Sequence, residues 1–262
     1  LAKCAEPLPI RWSRQLPKGA TPSTITVRLT PAGRWYVSLL VDIDIAPLPP
    51  LTNKVGIDLG IASLLILSDG TKITNPKPFR AKRRKLRKAQ KALARKQKGS
   101  NNRYKARLKV ACIHAEIADA RQDHLHKLTT KIVRENQTIA IEDLAVKNMV
   151  KNHKLALSIS DASWGELVRQ LEYKSAWYGR ELVKIDRWFP SSKRCSNCGH
   201  IADKMPLNIR EWECPRCVHN HERDVNAAKN ILAAGLVVSV CGATVRPEGS
   251  KSRKAGAMKQ KP

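Results

Sequence analysis

The sequence predicts an α/β fold, a mixed sheet with helices and an inserted zinc ribbon. Three observations carry that expectation. Short apolar runs at residues 54–59, 64–67 and 138–142 read as strands, and two of them meet an acid at their ends. Apolar residues recur at helical spacing between residues 86 and 132. Two Cys-x-x-Cys pairs, Cys195/Cys198 and Cys214/Cys217, are separated by the 15 residues 199–213, which is the spacing of a four-thiolate zinc site.

Each element follows in chain order. Residues 23–41 alternate at Ile25, Val27 and Leu29, turn at Pro31-Ala32-Gly33 and resume as a β-rich run, which predicts a hairpin. Asp42 and Asp44 share a face at its end, and alternating acids there read as a solvated edge. Pro47-Leu48-Pro49-Pro50 is too stiff for a central strand and marks a boundary, so residues 1–50 form a partial β module. The next strand closes on Asp58. An unpaired carboxylate within an apolar strand is costly, so Asp58 is expected to hold a metal or a hydrogen bond. Gly56 and Gly60 on either side leave room for close approach by a backbone or ligand. A second strand at Leu64–Leu67 turns through Asp69-Gly70 into a third.

Residues 80–109 carry fifteen Lys or Arg and no acid. Leu86, Ala89 and Leu93 fall on one helical stripe, residues 99–102 break it, and Leu108, Ala111, Ala115, Ala118, Leu125, Leu128 and Ile132 predict a second, longer helix. This helical hairpin, residues 80–135, repels itself unless a polyanion neutralises it. Arg80, Lys82, Arg83, Arg84, Lys85, Arg87, Lys88, Lys91, Arg95 and Lys96 are therefore candidates for phosphate-backbone contacts without base specificity. The run Thr138–Leu144 is a further strand, and Glu142 continues it while Asp143 falls on the opposite face, where it also fits a cap. A basic loop, a helix over about residues 163–180 and a strand from Leu182 lead into the cysteines. Four thiolates close a tetrahedron and leave no open position, so the ribbon is a clamp rather than a reaction centre. His200, His219 and His221 are alternative ligands. The small-residue helix after Asp224 is expected to pack closely on the sheet, and Asp224 itself also fits a helix N-cap.

The whole chain sets limits on these readings. Its 262 residues, 42% of them hydrophobic, suffice for one large or two modest domains. No apolar stretch reaches membrane-helix length and no secretory signal opens the chain, so membrane and export functions are not expected. The seven cysteines fit a reducing compartment, hence a cytoplasmic protein, with Cys4, Cys112 and Cys241 as bystanders. The balance of 49 basic against 22 acidic residues gives +27, for which nucleic acid is the default partner. A basic ribosomal or membrane-surface protein would share that charge.

Together the acids add a pattern: Asp58 ends a first strand, Glu142 a later strand, and Asp224 opens a final helix. This order resembles the RuvC-like branch of the RNase H fold. The segments VGIDLGIASLLILSDG, IAIEDL, the stretch from Ser158 through CSNCG, and CPRC with HERDVNAAKNIL resemble the TnpB (OrfB) family of transposon-encoded proteins, relatives of the type V CRISPR effectors. The resemblance covers about Gly19 to the C-terminus. It implies an RNA-guided DNA endonuclease with one RuvC-like site, in which Asp58, Glu142 and Asp224 hold two catalytic Mg²⁺ ions and Arg223 steadies the scissile phosphate. It also implies a DNA target and a guide RNA from the transposon end as partners. The nuclease domain then spans 51–194 and 218–238, interrupted by the ribbon at 195–217 and followed by a basic tail at 239–262. Val218 departs from the family's glycine, and Glu222 from its usual aspartate. The chain opens at Leu1, within a wedge-like module, which is expected to reflect N-terminal truncation; a non-catalytic nucleic-acid-binding remnant is the alternative reading.

Overall fold

The computed structural model describes residues 6, 9–13, 15–17, 19–206 and 208–240. Cys4, Cys241 and the expected basic tail beyond residue 240 lie outside the described residues. Strands β1 (Thr24–Leu29) and β2 (Trp35–Leu40) form the expected hairpin, a two-stranded sheet of its own. The central sheet contains β3 (Lys54–Leu59), β4 (Ser63–Leu67), β5 (Lys72–Thr74), β6 (Thr138–Glu142) and β7 (Glu181–Ile185), in the order β5-β4-β3-β6-β7. It is mixed: β3, β6 and β7 run parallel, whereas β4 and β5 return antiparallel. β3 and β6 are neighbours although residues 60–137 separate them, because both are apolar on two faces and belong at the centre.

The two faces carry different partners. Val55, Ile57, Ile139 and Ile141 point into the main core, against Leu125, Leu128, Ile132, Val133, Leu167 and Leu171 of helices α2 (Asn101–Glu135) and α5 (Trp164–Trp177). On the other face, at period two, lie Gly56 and Ala140, beneath α6 (Arg223–Val240). Small residues are required there. A Cβ at Gly56 would stand 2.1 Å from the Ala228 carbonyl oxygen, and one at Gly235 would stand 2.5 Å from the Ala140 Cβ. The close packing expected of α6 is therefore backbone on backbone at Gly56 and backbone on the Ala140 methyl at Gly235.

The basic hairpin is α1 (Pro78–Ala94) against the N-terminal half of α2, sealed by Leu86, Ala89, Ile113 and Ile117. Ser100 caps α2, its Oγ accepting from the Arg103 N–H. The buried stripe of this half runs through Ile113 and Ile117 rather than the expected Ala111, Ala115 and Ala118. Half-way along, α2 changes partner from α1 to the sheet, and the bulkier side chains win the packed face. Where a basic loop was expected, two short helices form, α3 (Val146–Met149) and α4 (Ala156–Ala162). The α4 residue Asp161 is buried and accepts from the N–H groups of Phe79 and Arg80 at 3.0 and 3.2 Å, so it caps α1 from across the fold. Arg180 likewise fastens the proline boundary, donating to the carbonyls of Val133 and Pro49. Among the described residues, no helix is long and apolar enough to cross a membrane.

Candidate functional site

Asp58 and Glu142 come together by register. Ile57 pairs with Ile141 across parallel strands, so the next residues, Asp58 and Glu142, stand side by side on the α6 face. Asp224 lies in the first turn of α6, one residue inside the helix. The helix begins at Arg223, so Asp224 is not the N-cap. The Asp58 carboxyl is pushed up to about 7, first by lost hydration and then by the charges of Glu142 and Asp224, with Arg223 and the Leu59 N–H acting in the opposite sense. Glu142 is also raised, by lost hydration, although Ser191 Oγ donates to its Oε1 at 2.6 Å. Arg210 Nη1 meets both oxygens of Asp224, at 3.3 and 3.2 Å. Asp58 thus feels the charges of both other acids, and the three carboxylates offer an all-oxygen set, the ligand chemistry of a hard divalent cation. Arg223 turns its Nη1 to the Pro206 carbonyl at 3.0 Å.

The four cysteines also converge, with their Sγ atoms all within 4.8 Å of one another. Cys195 and Cys217 lie 3.6 Å apart, as do Cys198 and Cys214. Zinc–sulfur bonds of about 2.3 Å give a tetrahedral edge of roughly 3.8 Å, so the set fits zinc. The two knuckles repeat one backbone pattern. The N–H of Gly199 donates to the Cys195 carbonyl and that of Val218 to the Cys214 carbonyl. Both residues adopt positive φ, 77° for Gly199 and 55° for Val218. Cys217 is held down at about 6, first by the Asn197 amide. In Cys198 the His200 N–H lowers the thiol, but burial and the neighbouring sulfurs outweigh it and push it up to about 12. His221 is buried beside the cluster, its Nε2 3.0 Å from Cys195 Sγ.

The ribbon and the acids form one unit. Strand β8 (Glu211–Glu213) lies between the two knuckles and pairs with β9 (Asn220–Glu222), which carries the ribbon past Cys217 directly into α6 at Arg223. Asn226 and Asn230 fasten the first knuckle from α6: Asn226 accepts from the Ser196 N–H, and both amides donate to the Arg194 carbonyl. Asn230 also donates to the Ser191 carbonyl, behind the residue that holds Glu142. The sequence reading missed Ser191, Arg210, Asn226 and Asn230. Only the asparagines had a signal, as polar residues four apart on the small-residue face of a helix.

The basic candidates divide into groups. Lys82 and Lys85 meet Glu116 of α2 at 2.7 and 3.3 Å, so an acid beyond residue 109 offsets part of the charge that the isolated run appeared to leave unpaired. Arg80 donates to Ser158. Arg84, Arg87, Lys88, Lys91 and Arg95 line an open groove of about 520 Å³ on the outer face of α1, and Arg83 and Lys96 are exposed beside them.

With this geometry in place, comparison with known proteins is informative. The family profile OrfB_IS605, described as probable transposase, matches residues 37–153, and the Cas12f1-like TNB domain profile matches residues 164–231. A Streptomyces pristinaespiralis protein, provisionally named an RNA-guided DNA endonuclease, is 61% identical over the whole chain. The similarly named InsQ of Escherichia coli strain K12 is 37% identical over 82% of the chain. The chain spans 65% and 57% of these two relatives' lengths. In fold, it resembles the protein of a cryo-EM Cas12f1–sgRNA–target DNA complex, with a TM-score of 0.52, 20% identity and coverage of 79% of this chain and 55% of that one. With its α/β architecture, its sulfur cluster and these relatives in agreement, the chain belongs to the TnpB (OrfB) family.

Proposed function

We infer that this chain is the nuclease part of a transposon-associated, RNA-guided DNA endonuclease, with an RNase H-like, RuvC-like domain that hydrolyses phosphodiester bonds. What supports this reading is the placement of Asp58 beside Glu142 at the ends of β3 and β6, with Asp224 in the first turn of α6 close enough for its charge to act on Asp58, whose carboxyl is raised first by burial and then by these two charges. Those carboxylates would hold two Mg²⁺ ions, which when bound supply an activated water and charge stabilisation for the leaving oxygen. Ser191 fixes the rotamer of Glu142, and Asp58 must lose its proton before it can act as a ligand. Arg210 and Arg223 place positive charge beside Asp224, where Arg223 would steady the scissile phosphate. Cys195, Cys198, Cys214 and Cys217 would hold a structural Zn²⁺ that sets the start of α6.

The β1–β2 hairpin would belong to a wedge-like β module, and the α1 groove would track a phosphate backbone of guide RNA or target DNA. The test is incubation of the purified chain with labelled single-stranded DNA and Mg²⁺ or Mn²⁺, beside Asp58→Ala, Glu142→Ala and Asp224→Asn. Cleavage by the parent and loss in all three variants is expected, since an amide binds Mg²⁺ poorly. An active Asp224→Asn chain would overturn the assignment. A chain that binds DNA but never cleaves it would favour a binding remnant.

A further inference from the structure

Trp188 is 84% exposed, more than any other large apolar side chain among the described residues. Its backbone is nevertheless fixed. The Trp188 N–H donates to Asp186 Oδ1 at 2.7 Å, the Phe189 N–H to the Asp186 carbonyl at 3.1 Å and the Ser191 N–H to the Phe189 carbonyl at 2.7 Å. Phe189 is anchored against Ala140, Ile185 and Ile231. This turn therefore half-buries one aromatic ring and holds its neighbour out in water.

The location of the turn suggests what covers the ring. Three residues further on, Ser191 Oγ contacts Glu142, and at 3.8 Å per Cα step this keeps the Trp188 backbone within about 11 Å of Ser191. On its other side Arg187 pairs with Asp143, which with Glu142 borders a groove of about 510 Å³ carrying Lys147, Arg169 paired to Glu166, and Lys184 paired to Glu172. An exposed indole on a fixed backbone turn, next to cations, is suited to single strands, because every base offers a π-face and the phosphates meet the cations. We propose that Trp188 is a stacking platform for an unpaired base of the DNA strand that enters the Asp58–Glu142–Asp224 site. The assignment to DNA rests on the nuclease reading; the stacking geometry does not. Paired bases are already stacked, so the platform selects single-stranded over duplex substrate.

The test is a binding cycle in magnesium-free buffer. Fluorescence anisotropy compares a labelled thymine oligonucleotide with an abasic strand of equal length, for the parent, Trp188→Ala and Trp188→Phe. The expected result is a loss on the order of ten-fold for Trp188→Ala on the thymine strand, less than about two-fold on the abasic strand, and most of the affinity kept by Trp188→Phe. Equal losses on both strands would mark a structural residue and overturn the platform, as would no loss on either. A loss on oligouridine without one on thymine would overturn the assignment to DNA. Cleavage assays run in parallel separate the two readings. A chain that never cleaves but shows the cycle loses the nuclease reading and keeps the platform, whereas a cleaving chain without the cycle does the reverse.

Discussion

At the scale of single residues, two side chains stand in places that cost stability. The Asp58 carboxyl sits at about 7 in the folded chain against an ordinary 3.8, so folding takes up a proton between those values. By linkage, the stability it contributes is full below the lower value and is lost as pH rises through the higher. In magnesium-free buffer Asp58→Asn should therefore melt above the parent at about pH 8 and together with it at about pH 4, given the raised carboxyl. A variant that melts below the parent at the higher pH would show that Asp58 is there for stability rather than for a cation. Val218 is the second case. A β-branched residue at φ 55° is strained by about 1–2 kcal/mol, and the equivalent position in the other knuckle is Gly199. Val218→Asn, which tolerates this conformation without glycine's entropy, should raise the thermal midpoint and slow zinc transfer to a chromogenic chelator. An unchanged midpoint would mean that the second knuckle relaxes around valine.

Among the elements, α6 has the most demanding position. It crosses the sheet in close contact at Gly56, backbone on backbone, and at Gly235, against the Ala140 methyl, and Asp224 lies in its first turn. What fixes that turn is the ribbon, through β9 in line with the helix and through Asn226 and Asn230 on the first knuckle. Removing zinc with a thiol-compatible chelator, or changing Cys214 to Ser, should speed amide hydrogen exchange over residues 220–226 while β3 and β6 stay protected. Uniform loss of protection would mean that the ribbon is part of the global folding unit. The α1–α2 hairpin is positioned by Asp161, so its cationic face is held at a set orientation rather than free on a linker.

For the whole molecule, the +27 surplus predicts salt-sensitive association. Changing Arg84, Arg87, Lys88, Lys91 and Arg95 to Gln should lower the slope of log affinity against log salt by up to about 4 for duplex, with sequence preference unchanged. A slope that stays put would move the binding face elsewhere. Much of this architecture was legible in the sequence because its signals are local. Short continuous apolar runs located β3, β4 and β6, and Cys spacing located both knuckles. An acid that interrupts an apolar strand pointed to Asp58. The missed features are set by tertiary partners. Helices α3 and α4 are too short for a period to show, and α2 exchanges one buried stripe for another where its neighbour changes. Arg210, Ser191 and Asp161 act on residues 14, 49 and about 80 positions away, and composition carries no trace of such pairings.

The parallel pairing of β3 with β6 has a kinetic consequence. Two strands separated by residues 60–137 meet only after the intervening chain has closed a long loop, and Asp224 joins them from a helix beginning at residue 223. Pairings so distant form late, and on a ribosome they wait until most of the chain has emerged. Any nascent fragment that stops short of α6 can expose the α1 cations to nucleic acid, yet it lacks the third carboxylate. On the proposed reading, then, attachment to nucleic acid would precede the capacity to cut it, which would arrive only when α6 docks.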